Sequence, residues 1–285
     1  MNIIRIRNRW KRLLAALCSA AILWGAAEIP AEARGGGGYE HTAAAAHAEK
    51  RKKREAPVNW SELQRRYRGV FVLRASASGG RRVALTFDDV PDQRYTPLVL
   101  NVLKRKRVRA TFFVVGSRAH KHPGQLKRIV SEGHAVGNHT YTHPQLPKLS
   151  LPEVRREIER TGGVIRRIAG FEPAMIRPPY GDIGPAQLEW TKSRGYTVVN
   201  WDVDSSDWRQ LPASIVLRNA VSGVRPGSII LMHAGGGAGQ NLFGTVKALP
   251  LLIDRLRAQG YELVTVPELL HIPERLPERR RESGR

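Results

Sequence analysis

Cysteine is almost missing: Cys18 is the only one in 285 residues. That excludes a disulfide framework within the chain and any zinc module built on paired CxxC ligands. Acidic residues are scarce beside basic ones, with 25 Asp and Glu against 47 Lys and Arg, a formal net charge of +22. No uninterrupted apolar run reaches the roughly 18 residues that a membrane helix needs, which excludes a multi-span membrane protein. Disorder throughout is excluded too, because 41% of the residues are hydrophobic, enough to supply a core. At roughly 150 residues per domain, the length fits one large α/β domain or two small ones.

The two ends read differently from the middle. Arg5, Arg7, Arg9, Lys11 and Arg12 precede an apolar stretch from Leu13 to Ala27, and Ala31-Glu32-Ala33 follows as an A-x-A cleavage pattern. Residues 1–33 therefore read as a secretory signal peptide, with an uncleaved anchor as the alternative. Leu17 before Cys18 argues against a lipoprotein site. Residues 34–80 form a basic linker and N-terminal extension. Its first part, through residue 56, holds a glycine run, an alanine run and the block Lys50 to Arg54, and it is expected to be disordered. Residues 273–285 are a charged tail. Between residues 57 and 272 there remain 31 bases and 17 acids, a net of +14, so the globular body is basic in its own right. For an exported protein the matching polyanion is a cell wall or an anionic lipid surface. Nucleic acid is the rival, but no recognition motif for it is present, and export argues against it.

Residues 81–272 alternate between short apolar strands and amphipathic helices. Strand-like segments are Val83–Phe87, Ala110–Val115, Ala174–Arg177, Thr197–Trp201, Ser228–Met232 and Leu263–Val266. Helical spacing appears over Thr96–Arg107, Pro123–Ser131, Leu151–Ile168, Pro185–Arg194, Ser214–Val221 and Thr245–Ala258. Repeated β-then-α units predict a parallel sheet with covering helices, either a barrel or a doubly wound sheet.

The polar residues that could carry chemistry fall at strand ends: Asp88 and Asp89, His139 and His143, Arg177 to Tyr180, Asp202, Asp204 and Asp207, and His233. Parallel α/β folds place their chemistry at those ends. His139 and His143 are spaced i, i+4, which on a helical turn aims both imidazoles the same way. Alone, HxxxH is a weak signal. A carboxylate pair elsewhere makes a metal site the better reading, with one aspartate as ligand and the other as base. Read singly, Arg177 could be a surface ion pair, Trp208 a core aromatic and Asp207 a helix cap.

Together these segments resemble a known family. Thr86-Phe-Asp-Asp-Val-Pro91, His139-Thr-Tyr-Thr-His143, Arg177-Pro-Pro-Tyr180, Asp204-Ser-Ser-Asp-Trp208 and Leu231-Met-His233 are similar, in order, to the five motifs of the polysaccharide deacetylases, carbohydrate esterase family 4. Ala110-Thr-Phe-Phe-Val-Val-Gly116 and Gly137-Asn-His139 are similar as well. The resemblance spans about Arg81 to Leu270. It implies a distorted (β/α) barrel and hydrolysis of N-acetyl groups on peptidoglycan, chitin or related glycans, or of O-acetyl groups on xylan. It also implies a divalent metal, usually zinc, with cobalt or manganese as alternatives.

Carried over to this sequence, the resemblance implies Asp89, His139 and His143 as metal ligands and Asp88 as general base toward the attacking water. Arg177 would orient Asp88. The backbone N–H of Tyr180 would help stabilise the oxyanion. His233 would be the general acid, with Asp207 orienting its ring and raising its pKa. Trp208 and Leu231 would wall a pocket for the acetyl methyl. His41, His47, His120, His122, His134 and His271 match no motif. Two departures from the family pattern stand out. Val90 occupies a position that usually holds Gly; if that position needs φ > 0, a β-branched residue is disfavoured there. Ala234 follows His233 where many relatives have Asp. The expected function is a secreted, metal-dependent deacetylase of cell-wall glycan, peptidoglycan foremost. The alternatives are an O-acetyl glycan esterase and a non-catalytic glycan-binding module on the same fold.

Overall fold

The computed structural model describes residues 59–277. The expected signal segment, the linker through residue 58 and the tail beyond residue 277 lie outside the described residues. Nine strands form one sheet within them: β1 (Phe71–Val72), β2 (Arg82–Val90), β3 (Thr111–Val114), β4 (Ala135–Asn138), β5 (Met175–Ile176), β6 (Thr197–Val199), β7 (Val203–Asp204), β8 (Ile229–His233) and β9 (Glu262–Val264). Their order is β1-β6-β5-β4-β3-β2-β8-β7, with β9 paired to the start of β2. Every strand pairing is parallel. Just past β1, Arg74 bridges antiparallel to Ser228 before β8, so the sheet curls round on itself. This is the expected α/β architecture in its distorted-barrel form.

Nine helices accompany the strands among the described residues: α1 (Trp60–Arg66), α2 (Tyr95–Lys106), α3 (Gly116–Lys121), α4 (Pro123–Ser131), α5 (Leu151–Ala169), α6 (Pro185–Ser193), α7 (Ala213–Val221), α8 (Phe243–Ala258) and α9 (Val266–Leu270). The longest, α5, shows how local chemistry sets its ends. Ser150 and Glu153 form a capping box, and Gly170 terminates the helix at φ 85°, a conformation that glycine adopts without strain. Its buried stripe of Val154, Ile158 and Ile165 follows the helical period.

Strand parity in β2 divides the core. Val83, Leu85 and Phe87 pack under the helices with Leu100, Leu103 and Leu252. Ala84 faces the other way, into a cluster with Phe113, Met175, Val199 and Ile229 inside the curl. Thr86 and Asp88 share the parity of Ala84, since alternate residues of a strand face alternate sides. The chain thus aims Asp88 into the barrel interior at the strand's C-terminal end.

The expected elements agree with the observed ones to within a few residues, but the fold begins before Arg81. β1 pairs with β6, and Leu63 of α1 and Tyr67 just after it join a cluster with Phe71, Ile183 and Leu188. The short strands β4 and β7 and the helices α3 and α9 are further additions.

Candidate active site

Adjacent strand residues normally point to opposite faces, yet two neighbouring carboxylates line one cleft. The register of β2 on β3 explains this. Phe87 pairs with Phe112 and Val90 with Val114, so Asp88 and Asp89 together oppose Phe113 alone. This is a bulge, and Asp89 sits in the left-handed region at φ 66°. The extra residue turns Asp89 back to the side that Asp88 already faces. The positive φ therefore belongs to Asp89. Val90 continues the strand, fully buried in the core, and its β-branched side chain meets no backbone obstacle.

His139 and His143 converge without a helix. Residues 139–143 are an irregular loop with Thr140 at φ 65° and His143 at φ 62°. The i, i+4 helical expectation is corrected here, because other hydrogen bonds hold the loop. Asn138 Oδ1 accepts from Thr140 N at 2.9 Å. Glu157, reaching from α5, accepts from the backbone N–H groups of Tyr141 at 2.8 Å and Thr142 at 2.7 Å, and from Thr142 Oγ1 at 3.0 Å. The imidazole rings lie 4.9 Å apart. Sequence reasoning missed Glu157; its only signal was a Glu on the solvent-facing side of an amphipathic helix.

His139 is buried, and its Nδ1 lies 2.7 Å from the carbonyl of Arg177. A carbonyl only accepts, so Nδ1 carries the proton and Nε2 is left as an open lone pair. Burial, with the charge of His143 acting in the same direction, pushes its pKa down to about 3, which keeps the ring neutral. His143 Nε2 is 3.3 Å from Asp89 Oδ1, and His139 Nε2 is 3.8 Å from the same oxygen. Asp89 Oδ1 is buried and has no hydrogen-bond partner. One carboxylate oxygen and two imidazole nitrogens thus lie within 4.8 Å of one another. An orphaned carboxylate oxygen facing two imidazole nitrogens, one of them an open lone pair, could hold a divalent cation. Nitrogen and oxygen ligands in a three-residue open arrangement suit zinc chemistry, so the residues fit the implied metal.

Beneath the cleft, Arg177 is fully buried. Its Nη1 donates to Asp88 Oδ1 and to Thr86 Oγ1, each at 2.8 Å, its Nε to the carbonyl of Val199 at 2.9 Å, and its Nη2 to that of Asn200 at 3.1 Å. The Phe113 ring lies under the guanidinium at 4.0 Å. A charge taken out of water needs this degree of pairing, and the surface ion-pair reading of Arg177 is thereby excluded. The other Asp88 oxygen, Oδ2, faces His139 Nε2 at 3.7 Å.

Across the cleft, His233 ends β8 beside Asp88 in register. Its Nδ1 is 2.7 Å from Asp207 Oδ1, and its backbone N–H donates to Asp207 Oδ2 at 2.8 Å. Thr245 adds a bond to the same Oδ2 at 2.7 Å. Burial opposes the imidazolium. The Asp207 carboxylate, by charge and hydrogen bond and with help from Asp88 and Asp89, overcomes that and holds the pKa up at about 9. Burial likewise opposes the Asp207 anion, yet His233 and Thr245 keep its pKa below the usual carboxylate value. Asp202 lies elsewhere: it accepts from Ile229 N and Ser228 Oγ and pairs with Arg225, a structural role.

The cleft has a volume of about 590 Å³. Its walls include Asp88, Asp89, His139, His143, Tyr180, Trp208, Leu231 and His233, all named from the sequence, together with Arg118, Trp201 and Gln240, which were not. Tyr180 occupies a tight turn at φ 60° with its ring edge-on to His143 at 5.0 Å. The turn is closed from outside by α1. Trp60 stacks edge-on against Trp201 at 5.0 Å and covers Gly181, where a Cβ would overlap the Trp60 ring. Arg118 Nη1 donates to the carbonyl of Asp89 at 2.8 Å, bracing the bulge from α3. Ala234 is buried; its N–H donates to the carbonyl of Asp88, and its own carbonyl accepts from Thr96. His134 is a core residue whose Nδ1 accepts from Ala110 N.

Residues 75–199 match the family model described as polysaccharide deacetylase. The chain is 44% identical over 187 residues to a peptidoglycan-N-acetylglucosamine deacetylase of Bacillus cereus, covering 66% of this chain and 67% of that protein. The chain belongs to the polysaccharide deacetylase family. It is also 37% identical to a chitooligosaccharide deacetylase of Bradyrhizobium, over 67% of this chain and 92% of that protein. Against a peptidoglycan-N-acetylglucosamine deacetylase of Listeria monocytogenes the identity is 41%, but the match spans only 40% of that longer protein. Among solved structures, the Bc1960 peptidoglycan N-acetylglucosamine deacetylase superposes with a TM-score of 0.73 at 38% identity, covering 76% of this chain and all of that one. A family 4 pseudoenzyme of Bacillus anthracis superposes at 0.64 with 29% identity, over 70% of this chain and 68% of that one.

Proposed function

We propose that this deacetylase-family protein is an exported, metal-dependent hydrolase that removes N-acetyl groups from cell-wall amino sugars, with peptidoglycan as its foremost substrate. A pseudoenzyme shares the fold, so the fold by itself carries no argument for activity. The observation that carries the reading is the pairing, across one cleft, of an Arg177-held carboxylate at Asp88 with a carboxylate-held imidazole at His233. A carboxylate held by a guanidinium and an imidazole held by a carboxylate, facing one cleft, offer a proton acceptor and a proton donor. The three donors of Asp89, His139 and His143 line the same cleft.

Asp89, His139 and His143 would hold a divalent cation, zinc first, which would supply Lewis acidity toward the acetyl carbonyl and the attacking water. Asp88 takes the proton of that water, held in place by Arg177. The backbone N–H of Tyr180 contributes to the developing oxyanion. His233 gives its proton to the departing amine, so acetate and a free amino sugar leave. Asp207 fixes the ring with Nδ1 toward itself and Nε2 toward the cleft, as a carboxylate does for a catalytic histidine. Leu231, buried at the cleft wall, and the half-exposed Trp208 suit an acetyl methyl.

The B. cereus and Listeria relatives are named for peptidoglycan and the Bradyrhizobium relative for chitooligosaccharide. The basic body, with its net +14 between residues 57 and 272, favours the anionic polymer. The leader-like residues 1–33 support export. Acetate release from peptidoglycan, chitooligosaccharide and acetylxylan tests the reading, each with and without a chelator and with zinc added back. Release from peptidoglycan that a chelator abolishes and zinc restores is expected. Release from acetylxylan alone would replace the N-deacetylase reading, and release from none of the three would remove it.

A further inference from the structure

Because the strands are parallel, their C-terminal ends and the cleft lie at one end of the barrel. The helices that return from that end, α2, α4, α5, α6, α7 and α8, finish at the other. All six carry a Lys or Arg in the last turn, whereas only α5 carries an acid, Glu153, in its first turn. Cations at helix C-termini are favoured by the helix dipole, but the same dipole favours acids at N-termini equally. Dipole complementarity predicts both and only one is present. The topology has gathered an excess of cations at the end away from the cleft, where Glu132 and Asp254 are each already paired with a base.

At that end α8 packs between α2 and α7. Lys104, Arg105, Arg107, Arg218, Arg255 and Arg257 are exposed there. Arg257 Nη2 reaches the carbonyl of Arg107 at 3.5 Å, which sets the ends of α2 and α8 side by side. None of these six side chains forms an ion pair with a described residue, and the neighbouring Asp254 is taken by Lys106 at 2.7 Å. Lys104 and Arg107 also border a recess of about 490 Å³, together with Arg109, Glu132 and His134. One turn before Arg255, and on the same side of α8, Leu251 is 55% exposed, one of three large apolar side chains so exposed among the described residues. The other two, Tyr180 and Trp208, belong to the cleft.

We propose that this lower flank, formed by the C-terminal ends of α2, α7 and α8, docks on an anionic lipid surface and holds the cleft facing away from it, toward the glycan. The cations meet headgroup phosphates, each strengthening attachment about fivefold near such a surface. Leu251 beside the cations favours a bilayer over a soluble polyphosphate, because a bare leucine gains from an acyl boundary and nothing from a hydrated polymer. Docked in this way, the active-site end is presented to a polymer that lies outside the membrane, and the acids around the cleft are kept away from the anionic surface.

The test uses the full chain, so that the apolar N-terminal segment is common to every sample. Partitioning is measured on vesicles of phosphatidylglycerol and phosphatidylcholine in equal parts and on phosphatidylcholine alone. The variant Lys104→Gln/Arg105→Gln/Arg255→Gln is compared with Lys121→Gln/Lys148→Gln/Lys247→Gln, which removes the same charge from exposed positions nearer the cleft end. The first variant is expected to lose roughly tenfold to a hundredfold in partitioning to the anionic vesicles, and the second to keep most of it. Acetate release from soluble chitooligosaccharide stays at the wild-type level in both, which separates this proposal from the catalytic reading. Equal losses in the two variants would reduce the effect to net charge and overturn the proposal. So would retention of vesicle binding by the first variant, or loss confined to a glycerol-phosphate wall polymer offered in place of vesicles.

Discussion

Replacing Asp207 with Asn removes one charge from the His233 couple while keeping its shape. His233 Nδ1 sits 2.7 Å from Asp207 Oδ1, and the imidazole is 14% exposed. Burial alone drives the ring toward neutrality; Asp207 reverses this and carries the pKa from 6.5 to about 9. A shift of that size corresponds to about 3 kcal/mol in favour of the imidazolium. With Asn, burial is opposed only by the more distant Asp88 and Asp89, so His233 gives up its proton at a lower pH. In the wild type the alkaline limb of kcat/KM for N-deacetylation is expected near pH 9. In the variant it moves acidward by about one unit or more, and amide turnover near pH 8 falls roughly tenfold or more. An activated aryl acetate, whose leaving group needs no proton, loses far less. The same couple governs stability. His233 has a raised pKa, so its contribution is complete below 6.5 and is lost as the pH rises through about 9. Asp207 has a lowered pKa, so its share is present above 3.8 and is lost as the pH falls through the depressed value. Urea denaturation should therefore separate variant from wild type most between about pH 4 and 6.5, and least above about pH 9. An unmoved alkaline limb, or equal losses on amide and aryl ester, would refute the assignment of His233 as a proton donor set by Asp207.

Four further outcomes follow from the geometry. His139→Ala removes one of three donors, and metal analysis should show about one divalent ion per chain in the wild type and a clear loss in the variant. Asp88→Asn should lower turnover by roughly a hundredfold or more with the metal content kept; wild-type turnover would mean that another group is the base. Glu157→Ala withdraws the acceptor that holds Tyr141, Thr142 and thus the His139–His143 loop; metal affinity measured by competition with a chromogenic chelator should fall about tenfold or more. Val90→Gly, a return to the usual family residue, should not relieve strain. The left-handed residue is Asp89 and Val90 is fully buried, so the change should cost about 2 kcal/mol or more by denaturant titration.

The repeated β-then-α pattern was legible because parallel strands covered on both sides are short apolar runs, and their helices keep a clean 3.6 period. What escaped had no such mark. In α1, Trp60-Ser-Glu-Leu-Gln-Arg-Arg66 offers only Leu63 to the core. It reads as a continuation of the polar linker until Trp60 is seen against Trp201 and Gly181. β7 is two residues long, and β4 runs through Gly137 and Asn138, neither a strand former by propensity. At the site, the side chains named from the sequence line the cleft or lie directly behind it, except Asp202, which pairs with Arg225 away from it, and the argument for how the two histidines would arrive there was wrong. Helical spacing does not bring His139 and His143 together, because residues 139–143 form no helix. The loop instead depends on Thr140 and His143 in left-handed conformations, which Thr-Tyr-Thr-His does not announce, and on Glu157, distant in sequence. The Asp88–Asp89 pair shows the deeper reason. Strand periodicity alone forbids two neighbours from sharing a face, so composition could nominate both carboxylates but not reconcile them. A bulge opposite Phe113 does so by spending one unpaired residue, and Arg118 braces it by taking the carbonyl of Asp89. The strain of φ 66° therefore falls on Asp89, whose carbonyl Arg118 holds, rather than on Val90, where the sequence invited attention.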